Sequence, residues 1–521
     1  MNFKKILIAI TLIVIAVFFV FRDKGTTTEN IEKKAPEEVV VEKKLPPTMF
    51  ISELTSMRES IDGMPTLPLT IGTEVNVVED QDPWIKIESR EHQGWVERRF
   101  LSQNKIEDQD IFITKKVLKD VTVDVKSKDD DGNEIVTQKI EKQYVDVEES
   151  IKDRYKLGDV QFAPIVKKSY PNNPKIDAKA IYISLYGLKH LETNTNNYID
   201  LAKKSNINAF VIDVKDDLGW TLFPAKISQE MLGKYYRKPR YSEERIKKLM
   251  KKLKDNNIYL IARISTFKDT AYAKSHPEDA IFDKRYGKTY QSRDKVLWTS
   301  PYDRTNWYYN VELSKEAADL GFNEILYDYV RFPDQVRKLD SKNLLDYKNV
   351  YNETKPEVIQ RFLKYAHEEL DKKEVYVAAS IFGQIGISNT DEAIGQHWET
   401  LSVVADYLNP MSYPSHFAPG TFNYKTPDAN PYGLMKEYSR RVNERDSKLE
   451  NPATVVMWIQ SFSAPWVKGY IKYGTKEVKA QIKGLKEEGL NGYLVWNSAS
   501  RYFWDSFKPE EKVEENKENN N

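Results

Sequence analysis

No cysteine occurs anywhere in the 521 residues. That single absence removes disulfides, thiolate metal sites, a cysteine nucleophile and lipoprotein processing together. Histidine is scarce too, six in all, with no His-x-x-x-His pair. A zinc-type centre, and with it a metal-dependent deacetylase, is therefore not expected, and neither a metal nor a cofactor is predicted. Net charge is also missing, since Lys+Arg and Asp+Glu both total 79. Without a basic field, nucleic acid is not predicted as a partner. Local lysines such as Lys247, Lys248, Lys251, Lys252 and Lys254 fall at helical spacing and read as a solvated helix face.

What is present is a large aromatic content, 12%, with 31 Tyr and 10 Trp. Aromatic faces complement the apolar C–H face of a pyranose, but they also fill large cores, and composition leaves both readings open. Lys4 and Lys5 precede an apolar run of sixteen residues, 6–21, broken only by Thr11. Such a run is an export signal, slightly shorter than the roughly 17–25 residues of a membrane span. It ends Val17-Phe18-Phe19-Val20-Phe21 without a small-x-small cleavage site. The prediction is an uncleaved signal anchor over 1–24, giving a single-pass membrane protein with its bulk extracellular. Cleavage would make it secreted. Leading positive charges support that orientation, although Arg22 and Lys24 reduce the asymmetry.

Residues 25–48 are rich in Glu, Lys, Thr and Pro with no periodic apolar face, and read as a polar linker. Over 49–103 the period changes to two. Gly72-Thr73-Glu74-Val75-Asn76-Val77-Val78 and Trp84-Ile85-Lys86-Ile87 alternate as strands, and Gly94-Trp95-Val96 follows a polar turn. This order resembles bacterial SH3-like domains. The resemblance implies a small all-β module that attaches the chain to cell-wall peptide or glycan; a spacer without a ligand is the other reading. Residues 104–178 read as a connector containing a charged hairpin, with Val121-Thr122-Val123-Asp124-Val125, a turn near Gly132, and Glu134-Ile135-Val136.

From residue 179 to 507, short apolar runs alternate with amphipathic stretches. Eight runs stand out: 180–186, 209–215, 258–265, 324–330, 375–382, 403–410, 454–460 and 492–497. Alternation of this kind predicts an α/β fold with a parallel sheet, and eight units predict a (β/α)₈ TIM barrel followed by a tail over 508–521. An open doubly wound sheet is the competitor. It would carry a Gly-rich phosphate turn after its first strand, and Tyr186-Gly187-Leu188-Lys189 is not one.

Barrel active sites lie at the C-terminal strand ends, so the polar residues there matter most. Period-two alternation places Asp213 and Lys215 on one inward face of strand two, and Arg263 inward on strand three. Those three read either as site residues or as an internal salt-bridge network. Strand four carries Asp328, strand six Asn409, Met411 and Tyr413, strand seven Gln460, and strand eight Trp496 and Asn497. Asp406 sits early on its strand, toward the stability face. Carboxylates, amides and aromatics gathered from several strands are what glycoside hydrolysis requires.

Four stretches also carry a family resemblance: Asn208 to Asp217, Ile261-Ala262-Arg263-Ile264, Tyr327-Asp328-Tyr329-Val330-Arg331-Phe332-Pro333, and Asn409-Pro410-Met411-Ser412-Tyr413-Pro414-Ser415-His416. Across about three-fifths of its length the chain resembles a bacterial glycoside-hydrolase family long labelled a domain of unknown function. The resemblance implies a barrel acting on carbohydrate, with Asp328 where related barrels hold a nucleophile or base. At strand five, where the family carries an acid, this chain has Ser380.

The resulting expectation is hydrolysis of an extracellular or cell-wall polysaccharide. Asp328 acts as nucleophile or base, and Asp216 or Asp217 donates the proton with a pKa raised by burial and neighbouring charge. Asp213 supports the site. Arg263, Arg331 and Lys215 hold Asp328 ionised, Trp496 and Tyr413 stack the sugar, and Asn409 and Gln460 bind hydroxyls. The alternative is a non-catalytic glycan-binding surface protein that has lost its proton donor at Ser380. A purely structural surface protein, binding through its SH3-like unit alone, is a further alternative.

Overall fold

Each of the eight apolar runs forms a strand, and all eight pair in parallel. In the computed structural model they are β1 (Lys179–Ile183), β2 (Ala209–Lys215), β3 (Tyr259–Ser265), β4 (Glu324–Asp328), β5 (Tyr376–Phe382), β6 (Tyr407–Met411), β7 (Met457–Gln460) and β8 (Tyr493–Trp496). Neighbours in sequence pair throughout, and β8 returns to β1 with Ala180 opposite Leu494, closing the barrel. The structure describes residues 47–509 apart from 53–54, 62, 64, 70–71, 90–91, 106–111, 129–131, 151–164, 351–352 and 450. The signal anchor expected over 1–24 lies outside the described residues, as do nearly all of the linker and tail. No helix among the described residues is long and apolar enough to cross a membrane.

Helices cover the barrel between strands: α1 (Thr195–Lys203), α2 (Glu243–Lys254), α3 (Arg304–Asp319), α4 (Lys355–Asp371), α5 (Trp398–Ser402), α6 (Pro431–Asp446) and α7 (Thr475–Glu487). Local chemistry sets their starts. The Ser242 side chain accepts from Arg245 N at α2, and Thr354 and Glu357 form a reciprocal capping box at α4. The lysine face of α2 is solvated as expected, with Lys247 and Lys248 reaching Glu243 and Glu244 one turn back. Strand alternation sorts the core into two layers. Ile181, Phe210, Ile212, Leu260 and Ile264 point outward against the helices, while Ala180, Val211, Ile261, Leu326 and Trp458 fill the barrel interior.

Strand ends differ from the sequence expectation where tertiary structure intervenes. β4 stops at Asp328, because Tyr329 takes a left-handed φ of 50° that cannot continue a strand. β6 starts later than residue 403, because α5 occupies the preceding residues and Val403 is its cap.

The N-terminal end of the barrel is closed by the segment 165–178. Tyr170 packs on Tyr376 at 5.0 Å between ring centroids, and its hydroxyl donates to Asp371 Oδ1 at 2.8 Å. Asn173 Nδ2 donates to the carbonyls of Asn323 and Glu374 at 2.7 and 2.9 Å. Asp406 lies buried at this end, accepting from Val377 N at 3.0 Å, with Lys175 Nζ 3.3 Å away. This is the structural role that its early strand position implied.

Ahead of the barrel, residues 48–102 form one seven-stranded antiparallel sheet around Ile51, Met57, Val75, Ile85, Ile87 and Val96. Gly94 is required here, since a Cβ would lie 2.6 Å from the carbonyl oxygen of Arg58. The sheet packs against α4 and α5 through its strand Pro65–Leu69. The connector hairpin is longer than its sequence signals, pairing Phe112–Lys128 with Glu134–Ser150 in continuous register. Its base leans on α3, where Thr114 N donates to Thr305 Oγ1 at 3.4 Å.

Candidate active site

At the C-terminal ends of β2, β3 and β4, one guanidinium joins two carboxylates. Arg263 donates from Nη1 to Asp213 Oδ1 at 2.7 Å. Its Nε donates to Asp328 Oδ2 at 2.8 Å, and its Nη2 lies 2.7 Å from the same oxygen. All three residues are buried. Burial works against the Arg263 charge, but Asp328 and Asp213 outweigh it and hold the guanidinium firmly protonated. Burial pushes Asp213 up from the usual carboxylate range, opposed by Arg263 and by the Tyr182 hydroxyl, which donates to Asp213 Oδ2 at 2.6 Å. Asp328 is held from its other side as well, because Tyr329 N donates to Oδ1 at 2.7 Å. That bond comes from the strained left-handed residue, a conformation that persists where surrounding structure imposes it.

Aromatic rings line this network. Trp496 stacks on Tyr182 at 4.3 Å and 22°, and the Arg263 guanidinium sits 5.6 Å from both ring centroids. Trp458 meets Trp496 edge-on at 5.5 Å, and its indole N–H donates to Ser380 Oγ at 3.0 Å. Ser380 thus stands on β5, buried, with its hydroxyl engaged. Tyr413 is buried beside His416 and Phe462, at 5.2 and 5.8 Å. Asn409 faces inward, its amide donating to Val456 O at 2.8 Å, while its buried carbonyl oxygen has no hydrogen-bond partner. An orphaned acceptor of this kind suits a ligand hydroxyl.

Asp216 lies one loop residue beyond β2. Its Oδ1 accepts from Leu218 N and Trp220 N at 3.0 and 2.9 Å, inside a tight return that needs Gly219 at a φ of 82°. Burial raises its pKa to about 7; nearby Asp213 and Asp217 add to the rise, and the two backbone donors oppose it. Asp217 has a different environment, partly exposed and 3.2 Å from Lys268 Nζ. Lys268 also pairs with Asp294 at 2.5 Å and lies 4.5 Å from the Tyr329 ring centroid.

Three expected site residues stand elsewhere. Lys215 does not share the inward face of Asp213, because a bulge between them breaks the period-two alternation. Its ammonium, fully buried, pairs with Asp269 Oδ2 at 2.6 Å and donates to Asn310 Oδ1 at 2.9 Å, against the helix layer. Arg331 does not reach Asp328. It turns to Phe332 O at 2.9 Å and Asp334 Oδ1 at 3.3 Å, among the rings of Trp298, Tyr329 and Phe382. The Gln460 amide is consumed by the protein, donating to Asp428 Oδ1 and Phe462 O, both at 3.0 Å, and accepting from Ser415 N at 3.1 Å. It holds two loops together and has no free group for a sugar hydroxyl. Sequence reasoning missed Tyr182, Tyr329 and Trp458. Tyr182 shares the inward parity of Ala180, a signal that was present in the first strand.

Residues 180–502 match the family described as "Putative glycosyl hydrolase domain". No protein of curated function matches the chain. Similar solved structures include a hypothetical protein from Ruminiclostridium thermocellum ATCC 27405, 29% identical over 38% of this chain and 96% of that one, at a TM-score of 0.32. The PgaB (BpsB) glycoside hydrolase domain from Bordetella bronchiseptica is 13% identical over 62% and 95%, at a TM-score of 0.43. The GH20 exo β-N-acetylglucosaminidase from Vibrio harveyi is 11% identical over 74% and 58%, at a TM-score of 0.39.

Proposed function

Because the chain belongs to the family of glycosyl hydrolase domains matched by its barrel, we propose that it cleaves a glycosidic bond in an extracellular or cell-wall polysaccharide, using Asp328 and Asp216. One contrast carries the assignment of roles: Asp328 is held by cationic and backbone donors, whereas Asp216 is pushed toward its protonated form. Asp328 accepts from a fixed guanidinium and a backbone N–H, which hold both of its oxygens in place. Asp216 lies where burial and two other carboxylates favour its protonated form, with a pKa of about 7. Divergent environments of this kind assign acid and base in glycosidases.

Asp328 is the nucleophile or the base for water, and Asp216 protonates the leaving oxygen. Ser380 leaves β5 without a carboxylate, so the proton comes from β2. Asp217, paired with Lys268, is the weaker candidate for donor. Arg263 positions Asp328, and Asp213 with Tyr182 positions Arg263. Trp496 and Tyr413 supply stacking faces, and the free carbonyl of Asn409 binds a hydroxyl. The N-terminal apolar run supports a location at the cell surface, and the Gly-x-x-Val-x-Val and Gly-Trp-Val order, which resembles bacterial SH3-like domains, supports attachment at the wall.

The test is release of reducing ends from a panel of wall and secreted polysaccharides, comparing the parent with Asp328→Asn. The expected result is release by the parent and a loss of about 10³-fold or more in the variant. Ser380, with its hydroxyl tied to Trp458, favours one other reading, a barrel kept for recognition. No release from any glycan, with binding that survives Asp328→Asn, would establish that reading instead.

A further inference from the structure

Beside Asp216 the barrel rim holds a cavity of about 540 Å³, within the range of small-ligand sites. It lies between the segment after β1, which carries Tyr186 and Lys189, and the loops after β2, which carry Trp220 and residues 237–241. Its chemistry departs from that of the rest of the chain. Four cations line it, Lys189, Arg237, Lys238 and Arg240, and no carboxylate does. All four are exposed, and none forms an ion pair among the described residues. On neighbouring α2 the lysines Lys247 and Lys248 are matched by glutamates, and the whole chain balances 79 basic with 79 acidic residues. Unmatched positive charge gathered in a concavity favours an anion.

The aromatic residues make the cavity suited to a sugar that carries the anion. The Arg237 guanidinium lies over Trp220, 3.7 Å from the ring centroid. Tyr241 forms a buried wall, with Arg240 5.7 Å from its ring centroid. Tyr186 is 74% exposed, leaving its face open for stacking. The cavity is also joined to the candidate acid, because Trp220 N donates to Asp216 Oδ1 and Asp216 N donates to Trp220 O at 3.0 Å.

We infer that this cavity is a subsite for a glycan residue bearing an anionic group, a carboxylate or a phosphodiester, so the substrate is an acidic polysaccharide. The inference rests on the hydrolase reading for its connection to cleavage, but the binding it describes is separable from turnover. Guanidinium groups and an exposed tyrosine face would hold the charged sugar next to the bond that Asp216 protonates.

The test is isothermal titration of the whole extracytoplasmic chain with three probes: oligogalacturonate, poly(glycerol phosphate) and a neutral β-glucan oligosaccharide. At least one acidic probe is expected to bind about tenfold or more tighter than the neutral one, a preference that falls as salt rises. Lys238→Gln/Arg240→Gln is expected to bring that probe to the neutral level, while its circular dichroism and Tm match the parent. Which acidic probe is preferred identifies the carboxylate or the phosphodiester as the group recognised. Equal affinity for all three probes, or a preference that survives in the double variant, overturns the inference. Running Asp328→Asn alongside separates the two readings. Charge-selective binding by a parent chain that releases no reducing ends keeps the subsite and rejects the hydrolase, and release by the parent, lost in Asp328→Asn, without charge selectivity does the reverse.

Discussion

Asp216 shows how much a single side chain owes to its surroundings. Its sequence neighbour Asp217 has the same chemistry but reaches Lys268, whereas Asp216 is half-buried and wrapped by its own loop. Burial raises Asp216 from 3.8 to about 7, so the folded chain holds this proton more tightly than the unfolded chain does. The contribution of Asp216 to stability is therefore full below pH 4 and is lost as pH rises through about 7. A general acid must be protonated to act, so kcat/KM falls as pH rises through about 7. Asp216→Asn is expected to remove the alkaline limb of the rate profile together with most of the activity, and to make any fall of Tm between pH 4 and 7 shallower by the share of this one group. An alkaline limb unchanged in the variant would assign the proton to another group. At this scale the sequence was informative where period-two parity holds, as for Asp213, Arg263 and Asp328, which meet at one guanidinium. For Gln460 the expectation of a hydroxyl contact fails, because capture of its amide by Ser415 and Asp428 depends on two loops that meet only in the folded chain.

Among the elements, β2 departs most from its pattern. The run from Ala209 ends Asp213-Val214-Lys215, so that period-two spacing reads Lys215 as a partner of Asp213, but the bulge places Lys215 opposite the outward-facing Ile264. One inserted residue has two consequences. It re-aims Asp216 beyond it, and it sends Lys215 to close a buried ion pair with Asp269, the side chain that also caps the helix Thr270–Ser275. The existence and order of all eight strands were legible because apolar runs of strand length recur between amphipathic helices. The bulge was not, since nothing in Val-Lys-Asp-Asp distinguishes a regular strand end from a bulged one. Lys215→Met tests the element directly. It leaves Asp269 buried without its cation, a change that costs about 3–5 kcal/mol. Urea unfolding is expected to show a lower midpoint with an unchanged slope. Because Lys215 does not touch Asp328, the fraction that remains folded is expected to keep a kcat close to the parent's. A midpoint equal to the parent's would show that the pair contributes nothing; a kcat that collapses in folded protein would return Lys215 to the site.

For the whole molecule, what can act is set by which surfaces the packing leaves free. The segment 165–178 closes the N-terminal end of the barrel through Tyr170, Asn173 and Lys175, so only the opposite mouth can admit a chain. The antiparallel sheet of residues 48–102 sits on α4 and α5, and the hairpin base on α3, so both pack on the helix layer. Attachment through the sheet would then leave catalysis at the mouth undisturbed. This division of labour gives the last prediction. Cells expressing the full chain are expected to yield it in the membrane fraction. A form starting at residue 25 behind a cleavable export signal is expected to leave the membrane but remain with the wall. Removing 47–103 from that form is expected to release it to the medium, with activity on a soluble glycan as the check that the barrel still folds. Release of the form starting at residue 25 before the sheet is removed would reduce the sheet to a spacer. Retention of the shortest form would move wall recognition onto the barrel.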